Sequence, residues 1–464
     1  MAGKRPINAD IPAADPSPGP KEAAPASPPP AKAPEAAKAK PETAQPSTPP
    51  AARPVKRRRK PIPAALKAIA GLVVVAIVFI LAAILGGGGT ATNSDKPAPA
   101  PTPTAKPEQK DTPASEAAAD LGYPSFATNN TTRVGGSDSA STAAAIALAV
   151  FPSTTIAQRP AAVTLVDESE WQGAIAASVL MSAPTRAPLL LADADGLPES
   201  TSQALEALDP QGGKHTGRAQ VFAVGDVSAP EDLRATRIAG KDPTALAVAI
   251  LDLRDKLFGD PPAHIVLASE SQPEFAAPAA AWAARSGDPV LFTGVEKLST
   301  TTAEALKNHP KTPIYVLGPS SAISSAVVRE ADKAGGQVRR VSGEDPVENA
   351  IALARYAGGG FGWNINDPGH GFVVARDDAP LDAAIASPLS ASGTWGPLLL
   401  SDSADTLPAA LRAYLLDVKP GYTTDPSRAF YNHVWVIGDQ EAIDVNQQAE
   451  INQLAELAKI GGES

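Results

Sequence analysis

Short apolar runs, each followed by an alanine-rich stretch, fill the chain from about residue 121 onward. The runs are apolar at every position rather than at every second one, which predicts strands buried on both faces. In order they predict strand 133–134, helix 141–150, strand 163–166, helix 171–181, strand 188–191, helix 199–208 and strand 220–224. The order then repeats as helix 243–257, strand 265–267, helix 274–284, strand 289–292, helix 301–308 and strand 314–317. A third round gives helix 346–356, strand 372–374, helix 381–390, strand 397–400, helix 407–416 and strand 434–437. Inserts fall at 358–371 and 420–432, and a helix over 446–459 closes the chain. Buried strands alternating with helices predict an α/β fold with parallel sheets, one small Rossmann-like layer per repeat.

Upstream the pattern changes. Residues 1–52 are mostly Pro, Ala, Lys, Glu, Ser and Thr and cannot bury enough apolar surface to offset chain entropy, which predicts disorder. Residues 68–85 are 18 consecutive apolar or glycine residues. With 64–67 they reach the ~20 residues that cross a bilayer. The basic run from Arg53 to Lys60 places the tail inside. A cleaved signal peptide would need an n-region as long as that whole tail, and no Ala-x-Ala site directly follows. Proline at alternate positions from Pro97 to Pro103 predicts an extended tether. The expected organisation is a basic cytoplasmic tail (1–60), a transmembrane helix (64–86), a linker (87–120) and repeat modules over 130–232, 233–336 and 337–460.

One motif marks the repeats: Arg, a β-branched residue, any, Gly, any, Asp. Its copies supply Arg133, Gly136 and Asp138, then Arg237, Gly240 and Asp242, then Arg340, Gly343 and Asp345. The copies start 104 and 103 residues apart, a period that suits small domains. The glycine suits a tight strand-to-helix turn and the aspartate suits a helix cap. The remaining glycines of a dinucleotide fingerprint are missing. If the modules close into a triangle, the three arginines are expected to be related by its axis.

Charge and composition narrow the chemistry. Residues 1–60 carry 12 Lys and Arg against 5 Asp and Glu, and the remainder 28 against 45. An acidic globular part repels phosphate backbones and argues against a nucleic-acid partner. The chain has no cysteine, which excludes disulfides and thiolate sites. Carboxylates gather where ligands sit in open parallel sheets, at the strand C-terminal ends: Asp167, Glu168, Asp193, Asp195, Asp226, Glu270, Asp377, Asp378, Asp402, Asp405 and Asp439. They suit sugar hydrolysis, a divalent cation, or plain helix caps and solvated loops. Five histidines (215, 264, 309, 370 and 433) show no ligand spacing and no nucleophile elbow, and read as isolated loop residues. No metal or cofactor is expected. Trp171 and Trp395 suit stacking on sugars, whereas Trp282 and Trp435 fall inside apolar patterns and read as core.

Three residue sets together resemble the cell wall binding repeat 2 family, over roughly 130–445. They are the arginine motif; the proline-aliphatic strands Pro188-Leu189-Leu190, Pro289-Val290-Leu291 and Pro397-Leu398-Leu399; and the strands ending in an aliphatic residue and Gly225, Gly318 or Gly438. The resemblance implies three modules in a pseudo-threefold triangle that hold an anionic wall polysaccharide non-covalently. It also implies that the nine proline-aliphatic residues lie at the binding groove; the plain reading is that they are core. The chain departs from the family pattern after the second strand, where only Asp382 keeps the usual aspartate; Gly173 and Glu274 stand at the matching places. The expected function is a single-pass membrane protein presenting a wall-binding module outside, without catalysis, and with a tail open to a cytoplasmic partner. The rivals are a wall-polymer hydrolase using strand-end carboxylates and a self-associating envelope scaffold.

Overall fold

The computed structural model describes residues 126–193, 196–392 and 395–461. The expected tail, transmembrane helix and linker lie outside them. Among the described residues no helix is long and apolar enough to cross a membrane.

The described chain opens with Phe126–Ala127 (β1), antiparallel to Thr131–Val134 (β2). Helix Ser139–Val150 leads to Val163–Asp167 (β3), helix Trp171–Ala177 and Leu189–Ala192 (β4). Helix Glu199–Leu208, Val221–Val224 (β5) and Ala235–Ile238 (β6) follow. The second round runs through helix Pro243–Phe258, Ile265–Ser269 (β7), helices Pro273–Ala276 and Pro278–Ser286, and Val290–Thr293 (β8). It ends with helix Thr300–Asn308, Ile314–Leu317 (β9), helix Ser325–Gly335 and Val338–Val341 (β10). The third runs through helix Pro346–Arg355, Gly371–Arg376 (β11), helices Pro380–Ile385 and Ser387–Ala391, and Leu398–Ser401 (β12). Helix Ala409–Asp417, Gly421–Tyr422 (β13), His433–Ile437 (β14), helix Val445–Ala455 and Ala458–Lys459 (β15) complete it.

The result is a mixed α/β fold with parallel sheets. Three sheets have the orders β4-β3-β5-β6, β8-β7-β9-β10 and β12-β11-β14-β2-β1. Every pairing in them is parallel except β1 with β2. The interior strands β3 and β7 are buried at every position, which is why their sequences are continuous apolar runs rather than alternations.

The sheets are offset from the sequence repeats by one strand. Each arginine motif supplies the strand that follows the third buried strand of the preceding round. β6 pairs with β5 and β10 with β9. The first motif has no preceding round, and its strand β2 pairs instead with β14 at the far end of the chain. The strand 133–134 expected in the first module therefore stands in the third sheet. Register is conserved: Arg237 pairs with Ala223, Arg340 with Val316 and Arg133 with Val436. Each partner lies two residues before a strand-ending glycine, so the arginines occupy equivalent places.

The helices that follow β3, β7 and β11 pack against one another. They are lined with buried alanines, among them Ala176, Ala280 and Ala384, whose small side chains let backbones approach. The Ser387 hydroxyl donates to Ser178 Oγ across two of them at 3.1 Å. Each motif helix leans on the packed helix of another round, the second on the first, the third on the second and the first on the third. Leu246 lies against Gly173, and Asn349 donates to the Phe275 carbonyl at 3.2 Å. Ser139 bonds the Asp382 side chain.

Some elements differ from expectation for identifiable reasons. The helix expected over 274–284 is broken, because Pro278 has no N–H to give. That over 381–390 is likewise interrupted beside Pro388. The helix over 171–181 tightens to a 3-10 turn at Ser178, whose hydroxyl bonds back to the Ala174 carbonyl at 3.0 Å. Helix Ser325–Gly335 was not expected. The closing helix stops at Ala455 instead of 459, because Ala458 and Lys459 pair with Gly421 and Tyr422.

Candidate binding surface

The arginine motif is the joint between successive rounds. Its aspartates Asp138, Asp242 and Asp345 cap the next helix, accepting from Ser141, Ala245 and Glu348 N–H at 2.7, 2.7 and 2.8 Å. Its glycines are required by contact, not by dihedral angle. A Cβ on Gly136, Gly240 or Gly343 would come within 2.2 Å of the following helix. Its arginines clamp carbonyls of the loop after the third buried strand, to unequal degrees. Arg133 is buried and donates to the Gly438, Asp439 and Ile443 carbonyls and to Gln448 Oε1. Half-buried Arg340 donates to the Gly318 and Ile323 carbonyls. Exposed Arg237 makes one long bond, 3.3 Å, to the Val227 carbonyl. Burial holds the Arg133 and Arg340 guanidinium pKa values below the usual range; for Arg133 the nearby Asp439 and Asp444 work against it.

The nine proline-aliphatic residues are all buried. Leu189, Leu190, Val290, Leu291, Leu398 and Leu399 form β4, β8 and β12, with none above 1 % exposure. Pro188, Pro289 and Pro397 immediately precede those strands. The residues in front of them reach solvent: Arg186 and Trp395, each two positions before its proline, and Arg285 at the end of helix Pro278–Ser286.

The strand C-terminal end is crowded with carboxylates. A cleft of about 350 Å³ is lined by Asp167, Glu170, Asp226 and Asp242, with Lys241. A neighbouring one of about 540 Å³ is lined by Asp138, Glu168 and Asp193. Several of these acids serve local turns. Asp167 accepts from the Ser169 N–H and hydroxyl, and Asp439 from the Glu441 and Ala442 N–H groups. Burial pushes the Asp382 carboxyl up, the Ser139 bond opposing and Asp439, Asp138 and Asp378 adding to the rise. Burial and the charge of Asp378 push Asp377 up too. Further negative charge is unwelcome at this end. Among the described residues no group of three or more His, Asp or Glu is placed to hold a metal ion.

The opposite, strand N-terminal end carries unpaired cations. Among the described residues, none of exposed Arg186, Lys214, Arg218, Arg234 and Arg285 has an ion-pair partner. Lys214, Arg218 and Arg234 line one cleft of about 670 Å³. Trp395 is 50 % exposed, with the Arg285 guanidinium 4.3 Å above its ring. Trp171 is half-buried, edge-on to Phe292 at 5.7 Å. Trp282 is buried, while Trp435 is only half-buried, beside His433.

His264, an isolated loop histidine by sequence pattern, is neither isolated nor exposed in the fold. It is buried, with Nδ1 2.9 Å from Asp288 Oδ2 and Nε2 2.9 Å from the Gly359 carbonyl. Both partners are acceptors, so only the imidazolium satisfies both. Burial disfavours that form, but the Asp288 bond and charge and the Gly359 carbonyl outweigh it and raise the pKa. A raised folded-state value means the stabilisation is full below the ordinary 6.5 and is lost as pH rises through the folded value. The expected outcome is that His264→Gln lowers the melting temperature at pH 5.5 and that the gap from the parent narrows by pH 9. Thermal melts at both pH values check it, and a gap that widens with pH contradicts it.

Comparison with known proteins gives three findings. No curated protein matches the chain. Residues 237–328 match the family described as cell wall binding domain 2 (CWB2), beginning on the second motif arginine. Among solved structures, Cwp6 from Clostridium difficile aligns with a TM-score of 0.56 at 21% identity, over 70% of this chain and 47% of that one. Cwp8 from Clostridium difficile aligns with a TM-score of 0.54 at 18% identity, over 71% of this chain and 52% of that one. The chain spans about half the length of these structures, and at such identities the likeness is one of fold.

Proposed function

We propose that the chain, whose residues 237–328 match cell wall binding domain 2, is a membrane-anchored, extracytoplasmic wall-binding protein whose three repeats, in a pseudo-threefold arrangement, hold a wall polymer non-covalently. The observation that carries this reading is the equivalence of the three motif strands, the first of which closes the last sheet. Three repeats closed on one another offer several weak contacts to one repetitive polymer, and such contacts multiply. Charge selects the face. An anionic polymer is disfavoured at the carboxylate-rich strand ends and favoured at the end that carries Arg186, Arg285 and the Lys214–Arg218–Arg234 cleft. The nine buried proline-aliphatic residues act in this reading by fixing the loops in front of them. The apolar stretch 64–86 is the anchor, 87–120 the tether, and 1–60 a cytoplasmic tail that a partner can meet.

The full chain, solubilised in detergent, is expected to pellet with intact walls and to stay in solution with walls stripped of secondary polymer. Equal pelleting with both, or none with either, overturns the proposal.

A further inference from the structure

One boundary between rounds is unlike the others. The insert over 358–370 belongs to the third round alone, and it folds back onto the second. The Tyr315 hydroxyl donates to the Gly358 carbonyl at 2.7 Å, and the Phe361 ring stacks on Tyr315 with centroids 3.9 Å apart. His264 holds Gly359. This docking brings Trp363 edge-on to Trp282 at 5.6 Å. Between the insert, the end of helix Pro278–Ser286 and Trp395 lies a cleft of about 320 Å³. Trp282, Arg285, Trp363, His370 and Trp395 line it.

The lining has the composition of a saccharide site: flat aromatic surface for the apolar face of a pyranose ring, with polar groups at its rim. The volume suits one or two sugar units. The half-exposed Trp395 indole is a large aromatic surface left open to solvent. Arg285 adds a guanidinium with no carboxylate partner among the described residues. Trp363 lines the cleft with its ring, and its Nε1 is buried with no acceptor among the described residues. At the place of Trp395, two residues before the proline, the other rounds carry Arg186 and Gly287, neither of which offers a ring.

We propose that this cleft is a subsite for a sugar unit bearing an anionic group, with the ring against Trp395 and the anion on Arg285. It rests on the wall-binding reading and adds that the three boundaries are unequal: one is built to grip a sugar ring. Stacking with a charge-assisted contact carries a large share of the affinity at that boundary. The anion is a carboxylate of an acidic sugar or a phosphate ester, and both would meet Arg285 alike.

The test pellets the detergent-solubilised full chain and its Trp395→Ala and Arg285→Gln variants with intact walls, with carboxyl-reduced walls and with walls dephosphorylated by a phosphomonoesterase, which leaves the polymer attached. Both side chains are exposed, and a thermal melt confirms that each variant keeps its fold. The parent is expected to bind intact walls, and each variant to need at least tenfold more wall for half-pelleting. Loss of parent binding on carboxyl-reduced walls assigns a uronate, and loss on dephosphorylated walls a phosphate ester. A parent that binds while both variants bind equally well overturns the subsite and leaves the wall-binding reading standing. A parent that binds no wall overturns both.

Discussion

Arg133→Ala is expected to destabilise the folded unit by about 3–5 kcal/mol, the scale for removing one partner from a buried charged hydrogen-bond set. The guanidinium is the donor for the carbonyls of buried Gly438, buried Ile443 and exposed Asp439 and for buried Gln448, around β2 and β14. Truncation strands the buried acceptors away from water and loosens the strand that joins the chain's first described segment to its last. The equivalent substitutions should grade with the number of bonds lost. Arg340→Ala, which gives up two carbonyl bonds at a half-buried site, is expected to cost less, and Arg237→Ala, with one long bond and an exposed side chain, under about 1 kcal/mol. Urea unfolding of the three variants measures the order directly. Equal losses at the three positions would mean that the motif strands do not carry the unequal loads described.

Ser178→Leu is the second large effect. Ser178 and Ser387 are buried where the helices of the first and third rounds meet, with Oγ atoms 3.1 Å apart. Leucine there overfills a tight contact, at about 1–3 kcal/mol. It also leaves the Ser387 hydroxyl without its acceptor, at a further ~1–3 kcal/mol. Ser178→Ala removes the same bond without adding bulk. The expected order of urea midpoints is parent, then alanine, then leucine well below. A leucine variant as stable as the alanine one would show that these helices have room between them.

Much of this architecture was legible in the chain. A run such as Val163-Thr-Leu-Val166 has no polar face to leave in solvent, so a strand buried on both sides was the one consistent reading, and β3 is buried throughout. What periodicity does not encode is which sheet a strand joins. Arg133-Val134 reads the same whether it pairs with β3 or with β14, 303 residues away (436 − 133), and only the long-range register decides. Helix Ser325–Gly335 carries a usable signal in the sequence: Ser324 at the N-cap and Val327 and Ala331 one turn apart on the buried side.

The surface was less legible, for a physical reason. A leucine that packs a core and a leucine that lines a groove have the same pattern, so Leu190, Leu291 and Leu399 could not be told apart from ligand contacts until their burial was seen. His264 gave no sign because its partners lie 24 and 95 residues away. Trp395, which the sequence suits to stacking on sugars, is half-exposed, but Arg285 above it and Trp363 beside it come from other elements that sequence spacing does not connect.

The most direct measurement of the wall-binding account mixes the solubilised full chain with purified secondary wall polymer and follows two signals together: sedimentation of the complex and release of new reducing ends. Wall binding by three repeats predicts a saturable, faster-sedimenting complex and no new reducing ends. Accumulating reducing ends, or a chain that sediments the same with and without polymer, would contradict it.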